Sequence, residues 1–159
     1  MSVAFTREED HEARAADLPD RPISPHPNLV TASGLAQIDA ALAEAKAAYA
    51  AAKTSDAVAA DRTALARATR DLRYWSARRG GAQLTEPALE AGLVQFGRTV
   101  RLEREDGRIQ TFRIVGEDEA DPARGLISYV SPLAQALLGK SVGEGVTVAG
   151  GEVEVLEVV

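Results

Sequence analysis

Asp56 and Asp61 stand at the two ends of an otherwise apolar stretch, Asp56-Ala57-Val58-Ala59-Ala60-Asp61. Two carboxylates close in space could help hold a divalent cation for metal-assisted hydrolysis. Five residues on a helix amount to a turn and a half, so the two acids point to different faces. Asp56 therefore reads as a helix cap and Asp61 as surface charge. A second acidic group, Glu117-Asp118-Glu119 with Asp121, has consecutive rather than alternating ligands and lacks the central glycine of an EF-hand loop. It reads as a solvated loop between strands. The basic residues Arg62, Arg67, Arg70, Arg73, Arg78 and Arg79 crowd one segment. Arg67, Arg70 and Arg73 follow at intervals of three, which on a helix forms a stripe able to meet phosphate.

Other chemistries lack materials. There is no cysteine, and the two histidines, His11 and His26, lie in a proline- and charge-rich stretch. Disulfides, zinc sites and histidine-based triads are excluded as expectations, and no metal or cofactor is expected. No apolar run approaches the roughly 20 residues that span a bilayer. Glu8, Glu9, Asp10 and Glu12 occupy the place where a signal peptide would need a basic start. The expectation is a cytoplasmic protein. The net charge of −6 is uneven. Residues 1–30 carry three basic against six acidic side chains, residues 31–84 eight against five, and residues 85–159 seven against thirteen. Only the middle segment is suited to an anionic surface.

The elements that must position these residues follow from periodicity. Pro19, Pro22, Pro25 and Pro27 fall within nine residues, which predicts a disordered or extended tail over 1–30 without helix or central strand. From Thr31 the apolar set Leu35, Ile38, Leu42, Ala45, Tyr49 and Ala52 is spaced 3-4-3-4-3, the seam of a coiled coil. Thr31 or Ser33 can cap it. Val58, Leu65 and Leu72 lie a heptad apart, with Trp75 three residues beyond. Two antiparallel helices of about 22 residues, roughly 33 Å each, form an arm over 31–80. Gly80-Gly81 ends it as a cap and joint, and Tyr74 and Trp75 read as packing between arm and globular domain.

Beyond the arm the period falls to two. Thr99 to Arg104 alternates, Asp106-Gly107 signals a tight turn, and Gln110 to Val115 alternates again. Ser131-Pro132 starts a short helix that Gly139 stops. Val146 to Val148 and Val153 to Val158 close the chain as a second hairpin, in which the apolar phase shifts between Val155 and Leu156, the mark of a bulge or of a strand buried on both faces. The expected fold is α+β: a helical hairpin, then a small antiparallel β domain over 85–159 with one short helix.

The run Ile114-Val115-Gly116-Glu117-Asp118-Glu119-Ala120-Asp121, then Ile127-Ser128, Ser131 to Lys140 and Gly150 to Leu156, resembles the C-terminal domain of the bacterial GreA/GreB transcription elongation factors. The resemblance covers roughly Val94 to Val159 and implies an FKBP-like fold. It also implies a partner, the RNA polymerase core enzyme, bound beside its secondary channel, and a monomeric factor in contact with RNA or DNA of the elongation complex. By resemblance, Val130, Ser131 and Pro132 dock the domain onto a polymerase coiled coil. Val130 replaces the usual Asp or Asn. The acidic run becomes a family surface mark rather than a catalytic group, and Arg67, Arg70 and Arg73 become the face that meets RNA. Cleavage-active members carry an Asp and a Glu at the arm tip that help hold the polymerase's second Mg²⁺. Here Asp56 aligns with the Asp, but Ala or Val follows where Glu is expected, and the arm is shorter by roughly a heptad per helix, about 10 Å. The expected protein is not itself an enzyme and regulates elongation without efficient transcript cleavage. One alternative is a cleavage factor using Asp56 and Asp61. The other is a peptidyl-prolyl isomerase, which the dispersed aromatics poorly support and which fold alone does not license.

Overall fold

The structure, a computed structural model, describes residues 18–54, 60–88 and 90–159, and backbone alone at residues 60 and 61. Asp56 and Val58 thus lie outside the described residues, as does the side chain of Asp61. The chain divides into two compact units. One comprises residues 1–25 and 38–81, the other residues 26–37 and 82–159.

The first unit is built from helices α1 (Ala32–Thr54), from Ile38 onward, and α2 (Ala60–Gly80). At 23 and 21 residues they match the lengths expected from sequence. The 3-4 seam of α1 faces inward: Ile38 and Ala45 are buried, while Leu42, Tyr49 and Ala52 are half-buried between exposed neighbours. In α2 the buried seam residue is Ala68, with Leu65, Leu72 and Trp75 half-buried beside it. Ala45 and Ala68, with Trp75, line a cleft of about 300 Å³ between the two helices. Tyr74 and Trp75 pack edge-on, 4.9 Å between centroids. Gly81 N–H donates to Ala77 C=O at 3.0 Å, but neither Gly80 nor Gly81 takes the left-handed conformation of a glycine cap.

In the second unit, strands β1 (Asn28–Val30) and β2 (Ala82–Leu84) pair in parallel, bracketing the helical hairpin in sequence. The expected tail over 1–30 is thereby corrected at its described end. Pro27 is the last proline, so Asn28 to Val30 keep their donors and form an edge strand, a place the proline rule leaves open. Val30 is 2% exposed, and its C=O accepts from Thr85 N–H at 2.9 Å.

Strands β3 (Thr99–Arg104), β4 (Ile109–Val115), β5 (Leu126–Ser128), β6 (Gly145–Val148) and β7 (Gly151–Val158) form one sheet in the order β5-β4-β3-β7-β6. All neighbours are antiparallel except β5, which runs parallel to β4. Between those two strands a 3₁₀ turn over Pro122–Arg124 reverses the chain, ending on Gly125 at φ +76°. The phase shift in the last strand is a bulge. Arg101 pairs with Glu157 but Leu102 with Val155, so Leu156 is the extra residue. That one insertion lets Val153 and Val155 before it, and Val158 after it, all face the core. Val100, Leu102, Ile114 and Ile127 complete the buried sheet face, covered by Ala134 and Leu137 of helix α3 (Pro132–Leu137).

Candidate functional site

The loop leading into α3 is held rigid by short local bonds. Ser131 sits in extended conformation and its hydroxyl accepts from Ala134 N–H at 3.3 Å, the N-cap that the Ser-Pro pair predicts. Val130 N–H donates to Ser128 Oγ at 3.2 Å, and Gln135 Nε2 donates to Tyr129 C=O at 2.6 Å. Val130 and Ser131 are half-buried and Pro132 is exposed. After the helix, Gly139 N–H donates to Val94 C=O at 2.9 Å, and Val94 N–H to Lys140 C=O at 2.8 Å, fastening its far end to the core. Of the three expected docking residues, Pro132 is therefore the most exposed, on a loop tied by local hydrogen bonds.

The acidic run is not uniformly solvated. Glu119 is 7% exposed, and its carboxylate accepts from Thr31 Oγ1 and Ser33 Oγ, both at 2.6 Å. Thr31 Oγ1 also accepts from Gly34 N–H at 3.0 Å, so Thr31 is the N-cap of α1. Burying a carboxylate is costly unless it is hydrogen-bonded, and two hydroxyl donors meet that need. The expectation of a solvated loop is corrected for Glu119: it clamps the first turn of α1. Close by, a Cβ on Gly116 would collide with the carbonyl of Leu29. The run Gly116 to Glu119 is thus where β1 and the start of α1 seat. Sequence reasoning missed both roles, because nothing local to 116–119 says that residues nearly ninety positions earlier pack there. The Ser/Thr pair ahead of a helix was the only available hint.

Arg62, Leu65, Thr69, Arg70 and Arg73 share one face of α2 and line a cleft of about 300 Å³ closed on its other side by Leu18 and Asp20. Of the expected stripe, Arg70 and Arg73 line this cleft, and Arg67 is exposed outside it. Spacing by threes drifts off a helical face, whereas 62, 65, 69 and 73 follow the 3-4 rule. Arg70 is half-buried with Nε 3.5 Å from Asp71 Oδ1. Arg73 Nη1 donates to Asp20 Oδ1 at 3.1 Å. Of the other arginines, Arg78 is buried and Arg79 donates to Asp39 at 2.6 Å, so neither belongs to the open face.

Among the described residues no group of three or more acidic, histidine or cysteine side chains could hold a metal ion, and no helix is long and apolar enough to cross a membrane. Phe96 packs edge-on to Tyr129 at 5.8 Å within the core cluster.

Residues 89–159 match the family described as transcription elongation factor, GreA/GreB, C-terminal. The transcription elongation factor GreA of Alkalilimnicola ehrlichii is 53% identical over 78 residues, 46% of this chain and 49% of that one. The GreA of Shouchella clausii is 44% identical over 80 residues, 48% of this chain and 51% of that one. The chain thus spans about half the length of the curated relatives it matches. Among solved structures, the GreA factor homolog 1 of Thermus thermophilus covers 84% of this chain and 99% of its own, at 19% identity and a TM-score of 0.39. The prokaryotic transcription elongation factor GreA/GreB from Nitrosomonas europaea gives 19% identity and a TM-score of 0.39 over 84% of this chain and 98% of its own.

Proposed function

We propose that this chain, whose residues 89–159 match the GreA/GreB C-terminal family, is an RNA polymerase-binding factor of that family that modulates transcript elongation without efficient RNA cleavage. The single observation that carries the reading is the family match across the sheet and α3, including the loop Val130-Ser131-Pro132. That loop supplies a preorganised contact, since its backbone is already fixed by the Ser131 cap and little ordering entropy is lost on docking. The helical hairpin, at 1.5 Å per residue, offers an arm of roughly 30–35 Å that could reach into the secondary channel. Arg62, Arg70 and Arg73 give α2 a face suited to phosphate, in an otherwise acidic protein.

The absence of cleavage rests on the sequence of the tip. Ala57, Val58, Ala59 and Ala60 supply no second carboxylate beside Asp56, and a single monodentate acid is a weak Mg²⁺ site. In the cleavage alternative Asp56 and Asp61 act together on a polymerase-held Mg²⁺, and release of 3′ RNA fragments from a backtracked complex distinguishes the two.

Docking is tested by co-sedimentation of the full chain with core polymerase. The double variant Ser131→Arg with Pro132→Ala should weaken binding at least several-fold, with a stability loss of only about 0.5–2 kcal/mol from the missing Ser131 cap, which leaves the domain folded in the assay. Equal binding by wild type and variant would place the docking surface elsewhere.

A further inference from the structure

The described part of the N-terminal segment is a strap laid along α2. Arg21 places its guanidinium 3.8 Å from the centroid of the Tyr74 ring and 5.5 Å from that of Trp75. Its Nη1 is 3.3 Å from Asp71 Oδ1. One residue earlier, Asp20 accepts from Arg73 at 3.1 Å, and Leu18 and Asp20 form the wall of the cleft opposite Arg62 and Arg70. Among the described residues that line it, the cleft presents Arg62, Arg70 and Arg73 and one acid, Asp20, which comes from the strap. Asp20 stands where a phosphate oxygen of a ligand would meet Arg73.

The contacts that hold the strap are of the weak kind. The side chains of the Arg73–Asp20 pair are 66% and 63% exposed, and those of the Arg21–Asp71 pair 37% and 38%. Exposed pairs of this sort stabilise little, and the cation–π contact of Arg21 adds a modest amount. Pro19, Pro22 and Pro25 fix φ along the strap, which lowers the entropy lost when it lies down. A segment so balanced can be displaced by a competitor carrying several phosphates, yet it opposes weak or adventitious ones.

We propose that residues 18–25 are an intrasteric strap: Asp20 and Leu18 occupy the basic face of α2 and exclude the phosphate backbone of single-stranded nucleic acid until that ligand displaces them. The proposal rests on the reading of this face as a nucleic-acid contact, and adds to it a built-in competitor.

The test uses the full chain and a labelled single-stranded oligonucleotide at low salt, with Trp75, the only tryptophan, reporting the strap. Arg21→Ala deletes the strap's anchor and also one positive charge. Bulk electrostatics alone predicts weaker binding of the oligonucleotide by this variant. The strap predicts the opposite sign: a changed Trp75 emission in the free protein and binding about threefold or more tighter than wild type. Asp20→Asn should tighten binding too, and by more than Glu44→Gln, which removes one acidic charge from the same unit without touching the strap. A changed emission with unchanged or weaker binding overturns the strap as a competitor. An unchanged emission overturns it as a segment held by Arg21. Arg62→Glu with Arg70→Glu, which leaves the Asp20–Arg73 pair in place, separates the two readings. If this variant binds the oligonucleotide as well as wild type, the basic face itself is misassigned. If it loses binding while Arg21→Ala gains none, only the strap fails.

Discussion

Glu119 carries more of this fold than its surroundings in sequence suggest. Its carboxylate is buried and receives two hydroxyl protons, from Thr31 and Ser33. Removing it strands both hydroxyls, one of them on a residue 4% exposed. Glu119→Ala should destabilise the sheet unit by about 1–3 kcal/mol, a fall in melting temperature on the order of 5–15 °C for a unit of this size. Glu119→Gln should cost less, since the amide oxygen can still accept one bond. Calorimetry on the two variants checks the order. Gly116→Ala should be harmful for a different reason: its Cβ meets backbone, the Leu29 carbonyl, which cannot move aside like a side chain. At this scale the sequence was legible where chemistry is local. Ser131 as a cap, with Ala134 N–H on its hydroxyl, follows from the residues themselves. Glu119 and Gly116 were not legible, because their partners lie far away along the chain and an acidic run looks like a solvated one until the fold is closed.

Among the elements, periodic seams and tight turns are the features that local sequence determines. Helix α1 shows its 3-4 pattern through Leu35, Ile38, Leu42 and Ala45, and the structure turns that face inward. In α2 the buried residue Ala68 was passed over, since alanine is as common on a helix surface as in a seam. Ala68 and Ala45 line a cleft of about 300 Å³ between the helices. Ala68→Asp should therefore place a charge against that half-buried seam and cost about 1–3 kcal/mol, whereas Ala64→Asp, at an exposed position of the same helix, should be nearly neutral; thermal unfolding separates them. The β3–β4 turn was also readable. Asp106 accepts from Arg108 N–H at 3.0 Å and from Arg108 Nε at 2.6 Å. The bond from the Arg108 backbone N–H holds its carboxyl below the ordinary value of 3.8. A carboxyl depressed in the folded state contributes stability above its unfolded value and loses it as pH falls through the folded one. The stability difference between wild type and Asp106→Asn should thus be present at neutral pH and shrink only as pH falls below 3.8 and through the lower folded value. The parallel strand β5 was not legible. Three residues after a Pro-initiated 3₁₀ turn carry no periodicity long enough to show direction, and only the return of the chain beside β4 fixes it.

For the molecule as a whole, the proline-rich start reads from sequence as dispensable, and the structure divides it. Asn28 to Val30 pair with β2, and Tyr129 Oη donates to Pro27 C=O at 2.5 Å. Deleting residues 1–25 should leave the sheet unit's melting temperature nearly unchanged, while deleting residues 1–30 should lower it by several degrees, since it removes an edge strand and the 2%-exposed Val30. Equal stability of the two truncations would show that β1 contributes nothing. The uneven charge is the other whole-molecule property. An acidic sheet segment and a basic middle segment suit a protein that meets a protein surface with one part and phosphate with another. Composition conveyed this balance, but not that Asp20 neutralises part of the basic face.

The proposed function, polymerase binding of the GreA/GreB kind without promotion of cleavage, is tested most directly on a backtracked elongation complex with Mg²⁺. The full chain should leave release of 3′ RNA fragments close to the polymerase's own rate. When titrated against a cleavage-active GreA, it should suppress that factor's effect by occupying the same channel. Strong fragment release by this chain alone, abolished by Asp56→Ala, would contradict the claim and establish a cleavage factor in its place.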